Sequence, residues 1–145
     1  MPKKLIIDTN ILFSSLLKKE NIIKRIIFSG KVELFAPYSI FIEIFNHKEK
    51  IIKYSQLTET ELTELLYIHL TKISLVNEKM IPLSILETAQ NIVKEIDESD
   101  APFVALSIYL NIPIWSGDKK LINFLRSTKA IEIVTITELL SLLKI

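Results

Sequence analysis

Five short runs rich in Ile, Leu and Val, spaced through the chain and separated by longer stretches of helical periodicity, constrain the fold more than any other feature. Residues 4–7, 32–36, 73–76, 112–115 and 131–135 read as strands of buried type. Between them the apolar spacing is helical. Residues 9–18 place Ile11, Leu12, Ser15 and Leu16 on one face, and residues 21–29 stop at Gly30, a favourable residue just past a helix end. Residues 38–54 carry Ile40 and Ile44, and Phe41 and Phe45, at core spacing. Thr58-Glu59-Thr60-Glu61 has the form of a capping box and opens a helix over 58–72. Further helices are expected over 83–96, over 99–110 with Pro102 tolerated in the first turn, over 119–126 and over 137–143. Strands alternating with helices in this way predict an α/β fold, a three-layer α/β/α sandwich with a central parallel sheet.

At 145 residues, with no repeat, low-complexity stretch or linker, residues 1–145 are expected to form a single domain. Hydrophobic residues make up 49 % and charged residues 24 %, enough apolar surface for a sizeable core. No apolar run approaches the ~18 residues of a membrane span, and three apolar residues before Asp8 are too few for a signal peptide. The absence of cysteine removes disulfides and thiolate metal sites. These features fit a cytoplasmic protein. With only two glycines, the chain has no Gly-rich phosphate loop, which disfavours nucleotide-cofactor folds that depend on one.

The carboxylates fall where such a sheet collects its ligands, beyond the carboxyl ends of the strands. Asp8 directly follows the first strand, and Asp118 follows the fourth in the stretch Ile114-Trp115-Ser116-Gly117-Asp118-Lys119-Lys120. Asp100 opens the helix before that strand, Asp97 lies three residues earlier, and Glu43 is flanked by Ile42 and Ile44 within a helix. Each acid alone has an ordinary explanation: a helix cap for Asp8, a first-turn acid for Asp100, a solvated charge for Glu43 and Asp97. If all five converge, 18 basic residues face 12 remaining acids, and the surface around the site is moderately basic. His47 and His69 lie away from the acidic segments in sequence, and Trp115 reads as core.

Taken in order, "LII" before Asp8-Thr9-Asn10, "IFIEIFNHKEKI", "DESDAPFVALSIYL" and "IWSGDKKL" resemble the four segments of the PIN-domain nuclease family, over residues 5–143. "DAPFVAL" followed closely by "WSGDKKL" is the specific pairing; "DTN" alone would be weak. The resemblance implies a PIN-like fold and a metal site formed by Asp8, Glu43, Asp100 and Asp118, with Asp97 matching an acid found in one branch of the family. The chain departs from the pattern at Ile42, where another acid is common.

Oxygen-only ligation suits a hard ion, Mg2+ or Mn2+, able to activate water against a phosphodiester. The expected activity is a metal-dependent endoribonuclease acting on single-stranded or looped RNA. Asp8, Glu43, Asp100 and Asp118 are the expected catalytic residues, with Asp97 as an additional metal ligand. Thr9, Asn10 and Ser116 are supporting polar groups, Lys119 and Lys120 candidate phosphate contacts, and Gly117 a point of close backbone approach. RNA, an antitoxin protein and a second copy of the chain are the expected partners, the antitoxin because many small family members are toxins of toxin–antitoxin pairs. An RNA-processing nuclease and an inactive PIN-like binding module are the alternatives. A response-regulator receiver needs an acceptor Asp after a middle strand, which here ends in Ala36-Pro37.

Overall fold

The computed structural model describes residues 1–18 and 20–145. Strand β1 (Lys3–Ile7) is followed by helices α1 (Thr9–Leu16) and α2 (Ile22–Ile27), then β2 (Val32–Pro37). Helices α3 (Ser39–Asn46), α4 (Lys48–Ser55) and α5 (Glu59–Leu70) lead to β3 (Ile73–Val76). After α6 (Leu83–Val93) and α7 (Ala101–Leu110) come β4 (Ile114–Trp115), α8 (Lys119–Thr128), β5 (Ile133–Val134) and α9 (Ile136–Leu143). The five strands form one parallel sheet in the order β3-β2-β1-β4-β5. Helices flank it, giving the expected three-layer α/β/α arrangement.

Burial explains why the strands show no alternation. Leu5, Ile6 and Ile7 are fully buried, and so are Ile114 and Trp115 beside them, because both faces of a parallel sheet are covered. Trp115 is core, as its sequence context indicates. The strand order reverses direction between β1 and β4: β2 and β3 extend one way from β1, β4 and β5 the other. A crevice opens beyond the carboxyl ends of two adjacent strands at such a reversal.

Several boundaries differ from the sequence expectation. The helix expected over 38–54 is broken at His47, whose backbone (φ −98°, ψ 9°) separates α3 from α4. Past the break, Ile51 of α4 is fully buried and continues the apolar contact begun by Ile40 and Ile44. The fourth and fifth strands pair over two residues each rather than four or five. The sixth helix ends at Val93, short of Ile96. Two 3-10 turns also form, Glu78–Met80 in a stretch with no expected element and Glu98–Asp100 at the expected start of the next helix. Gly30 does lie just past α2 with φ 76°, a conformation glycine adopts without strain. Among the described residues, no helix is long and apolar enough to cross a membrane.

Candidate active site

Asp8 is the first residue after β1 and is only 5 % exposed. Its backbone N–H donates to the Trp115 carbonyl at 3.3 Å, which extends the β1–β4 ladder and fixes the residue to the neighbouring strand. Its Oδ1 accepts from the Ile11 N–H at 2.9 Å, so the cap expected from sequence is present. Its Oδ2 accepts a short hydrogen bond from the Ser116 hydroxyl. Ser116 Oγ in turn accepts from the Asp118 N–H at 3.1 Å. One buried hydroxyl therefore ties the end of β1 to the loop that follows β4, across 108 positions of sequence.

Asp118 caps α8, its Oδ1 accepting from the N–H groups of Lys120 at 3.0 Å and Leu121 at 3.4 Å. Among the described residues, both of these bonds fall on Oδ1 and none on the other oxygen. Gly117 is not needed for a close approach: an added Cβ would meet only Ile11 Cδ1 at 3.6 Å, an ordinary contact, and the residue is exposed. That expectation is corrected; what presents the Asp118 carboxylate is the Ser116 hydrogen bond and the α8 cap.

Asp100 precedes α7 in helical backbone geometry and makes no capping hydrogen bond with its side chain. It is a first-turn acid of the Glu98–Asp100 turn, as the sequence suggests, without serving as a side-chain cap. Burial pushes its carboxyl up to about 7, with Asp97, Asp118, Asp8 and Glu43 each adding repulsion. Asp8 is pushed up to about 6, again chiefly by burial, while its hydrogen bonds to Ser116 and Ile11 oppose the shift and the charges of Asp118 and Glu43 add to it. Half-buried Glu43 is also raised, by burial first and by Asp97. Asp100 is the common neighbour, within electrostatic reach of the other four acids. Asp97 is the exposed member; its Oδ1 accepts from the N–H of Ser99 at 3.0 Å and from its hydroxyl at 2.8 Å, capping the turn that carries Asp100.

The supporting residues divide. Thr9 lies near enough to Glu43 for its hydroxyl to lower that carboxyl's pKa, yet it closes no hydrogen bond and its Oγ1 remains buried without a partner. Ser116 is fully buried between two acids, whereas Asn10, Lys119 and Lys120 are exposed at the rim. The histidines behave differently from one another. His69 is core, bonded to Ser15 and the Leu65 carbonyl. His47, expected to lie away from the acids, stands one helical turn from Glu43 and offsets a little of the rise that burial gives its carboxyl. Its spacing of four from Glu43 was the signal available in the sequence.

Asp8, Glu43 and Asp100, raised by burial and by the charges of neighbouring acids, form with Asp97 and Asp118 a donor set a hard cation would relieve; the donors are carboxylate oxygens, with His47 only at the edge beside Glu43. Among the described residues, no three such side chains are already arranged to hold one ion; Asp8, Asp97 and Asp118 are turned toward backbone N–H groups and a hydroxyl. The donor chemistry fits a hard divalent ion, with side-chain rotation needed to close around it.

No curated protein matches the chain. A family model described as the PIN domain matches residues 6–137, a span that contains all five acids and the whole of the sheet's switch point. Matched over most of its length and folded as that resemblance implies, the chain belongs to the PIN-domain nuclease family.

Proposed function

We propose that the protein is a divalent-metal-dependent endoribonuclease that cuts phosphodiester bonds in single-stranded or looped RNA. The observation that carries this reading is that Asp8, at the end of β1, and Asp118, in the loop after the adjacent β4, are joined through the buried Ser116 hydroxyl. Bound Mg2+ or Mn2+ would supply a water of lowered pKa and neutralise charge on the phosphodiester. Asp8 and Asp118 are the ligands best fixed by the fold, and Asp100 completes the set. Glu43 and Asp97 orient the attacking water or hold a second ion. Ser116 keeps the Asp8 carboxylate in place, and Thr9 is available to do the same for Glu43. Asn10, Lys119 and Lys120 meet the substrate from the rim, the lysines through phosphate oxygens.

Paired bases in A-form RNA face a deep, narrow groove that side chains do not read, which favours unpaired substrate. The toxin of a toxin–antitoxin pair, cytoplasmic, acting as one domain and held inactive by a small protein partner, is the narrower form of this reading. A small DNA-binding protein in the neighbouring reading frame would support it, and its absence would favour RNA processing.

The test has two parts. Mg2+ or Mn2+ should raise the melting temperature, since an ion that binds only the folded site stabilises it by mass action. Asp8→Asn with Asp118→Asn should abolish that rise. The protein should also cut a structured RNA but not its fully paired duplex, with Asp8→Asn as the control for contamination. Equal cutting of both overturns the single-strand preference, and no cutting with any divalent ion leaves a binding module.

A further inference from the structure

An anionic strand approaching five acids needs cations along its path, and one side of the site provides them. Helix α4 carries Lys48, Lys50 and Lys53 against a single acid, Glu49. Lys48 is already engaged, its Nζ 3.4 Å from Glu59 and over the Phe45 ring. Lys50 and Lys53 are exposed, on the same helix as buried Ile51. Lys50 Nζ lies 5.8 Å from the centre of the Phe13 ring. The same ring meets His47 edge-on at 6.0 Å, and His47 stands one turn from Glu43. One turn farther out, Lys53 Nζ lies 5.6 Å from the ring of Tyr54, which is 59 % exposed. The row from His47 to Tyr54 runs along one helix side at spacings of three and four and covers about 10 Å at 1.5 Å per residue.

We propose that this row, His47, Lys50, Lys53 and Tyr54 on α4 and its leading turn, is the track that leads single-stranded RNA to the acidic site. The inference rests on the ribonuclease reading above and adds to it where the strand lies. Alternating ammonium groups and an open aromatic ring are what a sequence-tolerant single-strand binder uses: phosphates meet the cations and a base stacks on the ring. The exposed imidazole of His47 offers a hydrogen bond to the last phosphate before Glu43. The opposite side of α3 has a different character. Phe41 and Phe45 line a largely apolar groove of about 210 Å³ against Leu62 and Leu66 of α5, where the one lysine, Lys48, is paired with Glu59.

The decisive measurement is fluorescence anisotropy with a labelled single-stranded oligoribonucleotide, in Ca2+ and in an Asp8→Asn background so that binding is read without cutting. Lys50→Glu with Lys53→Glu should weaken binding roughly tenfold or more and reduce the slope of log affinity against log salt by about 1.4, that is, about 0.7 for each phosphate no longer neutralised. Tyr54→Ala should weaken binding with the slope unchanged. Lys72→Glu with Lys144→Glu, the same charge change at the opposite end of the sheet, should leave the slope as it was. All these side chains are exposed, and the milder Lys50→Ala with Lys53→Ala guards against a folding defect. Equal loss in the track and control variants overturns the track and leaves the ribonuclease reading standing. Failure of the parent protein to bind or, without the Asp8→Asn change, to cut the oligonucleotide overturns both. Unchanged RNA binding with altered sedimentation would assign the row to a protein interface instead.

Discussion

Asp100 separates a structural acid from a functional one because the two roles predict opposite effects of neutralising it. Its side chain caps nothing, and its carboxyl is held at about 7 against an ordinary 3.8. A folded-state pKa above the unfolded one means the fold penalises the ionised form. The penalty is absent below pH 3.8, grows as pH rises, and is complete above about 7. Without metal, Asp100→Asn should therefore melt at the same or a higher temperature than the parent above pH 7, and that advantage should vanish near pH 4. Thermal melts in EDTA at both pH values read this directly; a large loss of stability above pH 7 would make the residue a first-turn acid that the helix dipole favours. Asp8 and Asp118 were legible in the sequence because each closes an apolar run before a helix. Asp100's lack of a cap was not, since sequence reports proximity to a helix start and says nothing of where the carboxyl points.

At the scale of elements, periodicity located what is local and missed what is tertiary. The Thr58 capping box is present with both reciprocal hydrogen bonds, because its partners lie three residues apart. The α3–α4 break and the two-residue length of β4 depend on what the rest of the chain packs against them. The same holds for the lock between α1 and α5. His69 is fully buried; its Nδ1–H donates to the Leu65 carbonyl at 2.8 Å, so Nε2 must accept from the Ser15 hydroxyl at 2.7 Å. Phe28 of the turn after α2 closes the third side, edge-on at 5.0 Å. Ser15→Ala would leave a buried nitrogen unsatisfied and should cost about 1–3 kcal/mol, read as a lower urea midpoint with unchanged slope. A neutral result would show that water replaces the hydroxyl.

Across the whole molecule the buried acids and the buried histidine pull stability in opposite directions with pH. Burial lowers the pKa of His69, so its contribution is complete above the ordinary 6.5 and is lost as pH falls. Asp8 and Asp100, at about 6 and about 7, do the reverse: acid relieves them. The metal-free protein should be most stable at a compromise pH, and Mg2+ or Mn2+ that keeps the acids ionised should move that maximum upward. Calorimetry across pH, with and without the ion, checks the shift; a maximum that stays in place means the ion binds elsewhere.

The order of strands in the sheet also has a meaning in time. β1 is made first and β4 almost last, yet they are neighbours, with Ser116 bridging Asp8 and Asp118. On the ribosome, a chain that has not yet reached β4 can form only the β3-β2-β1 part of the sheet. Asp8 then stands at an open edge, with neither Ser116 nor Asp118 beside it. Any chemistry that needs the full set of acids is withheld from the nascent chain until β4 and the loop carrying Asp118 have emerged.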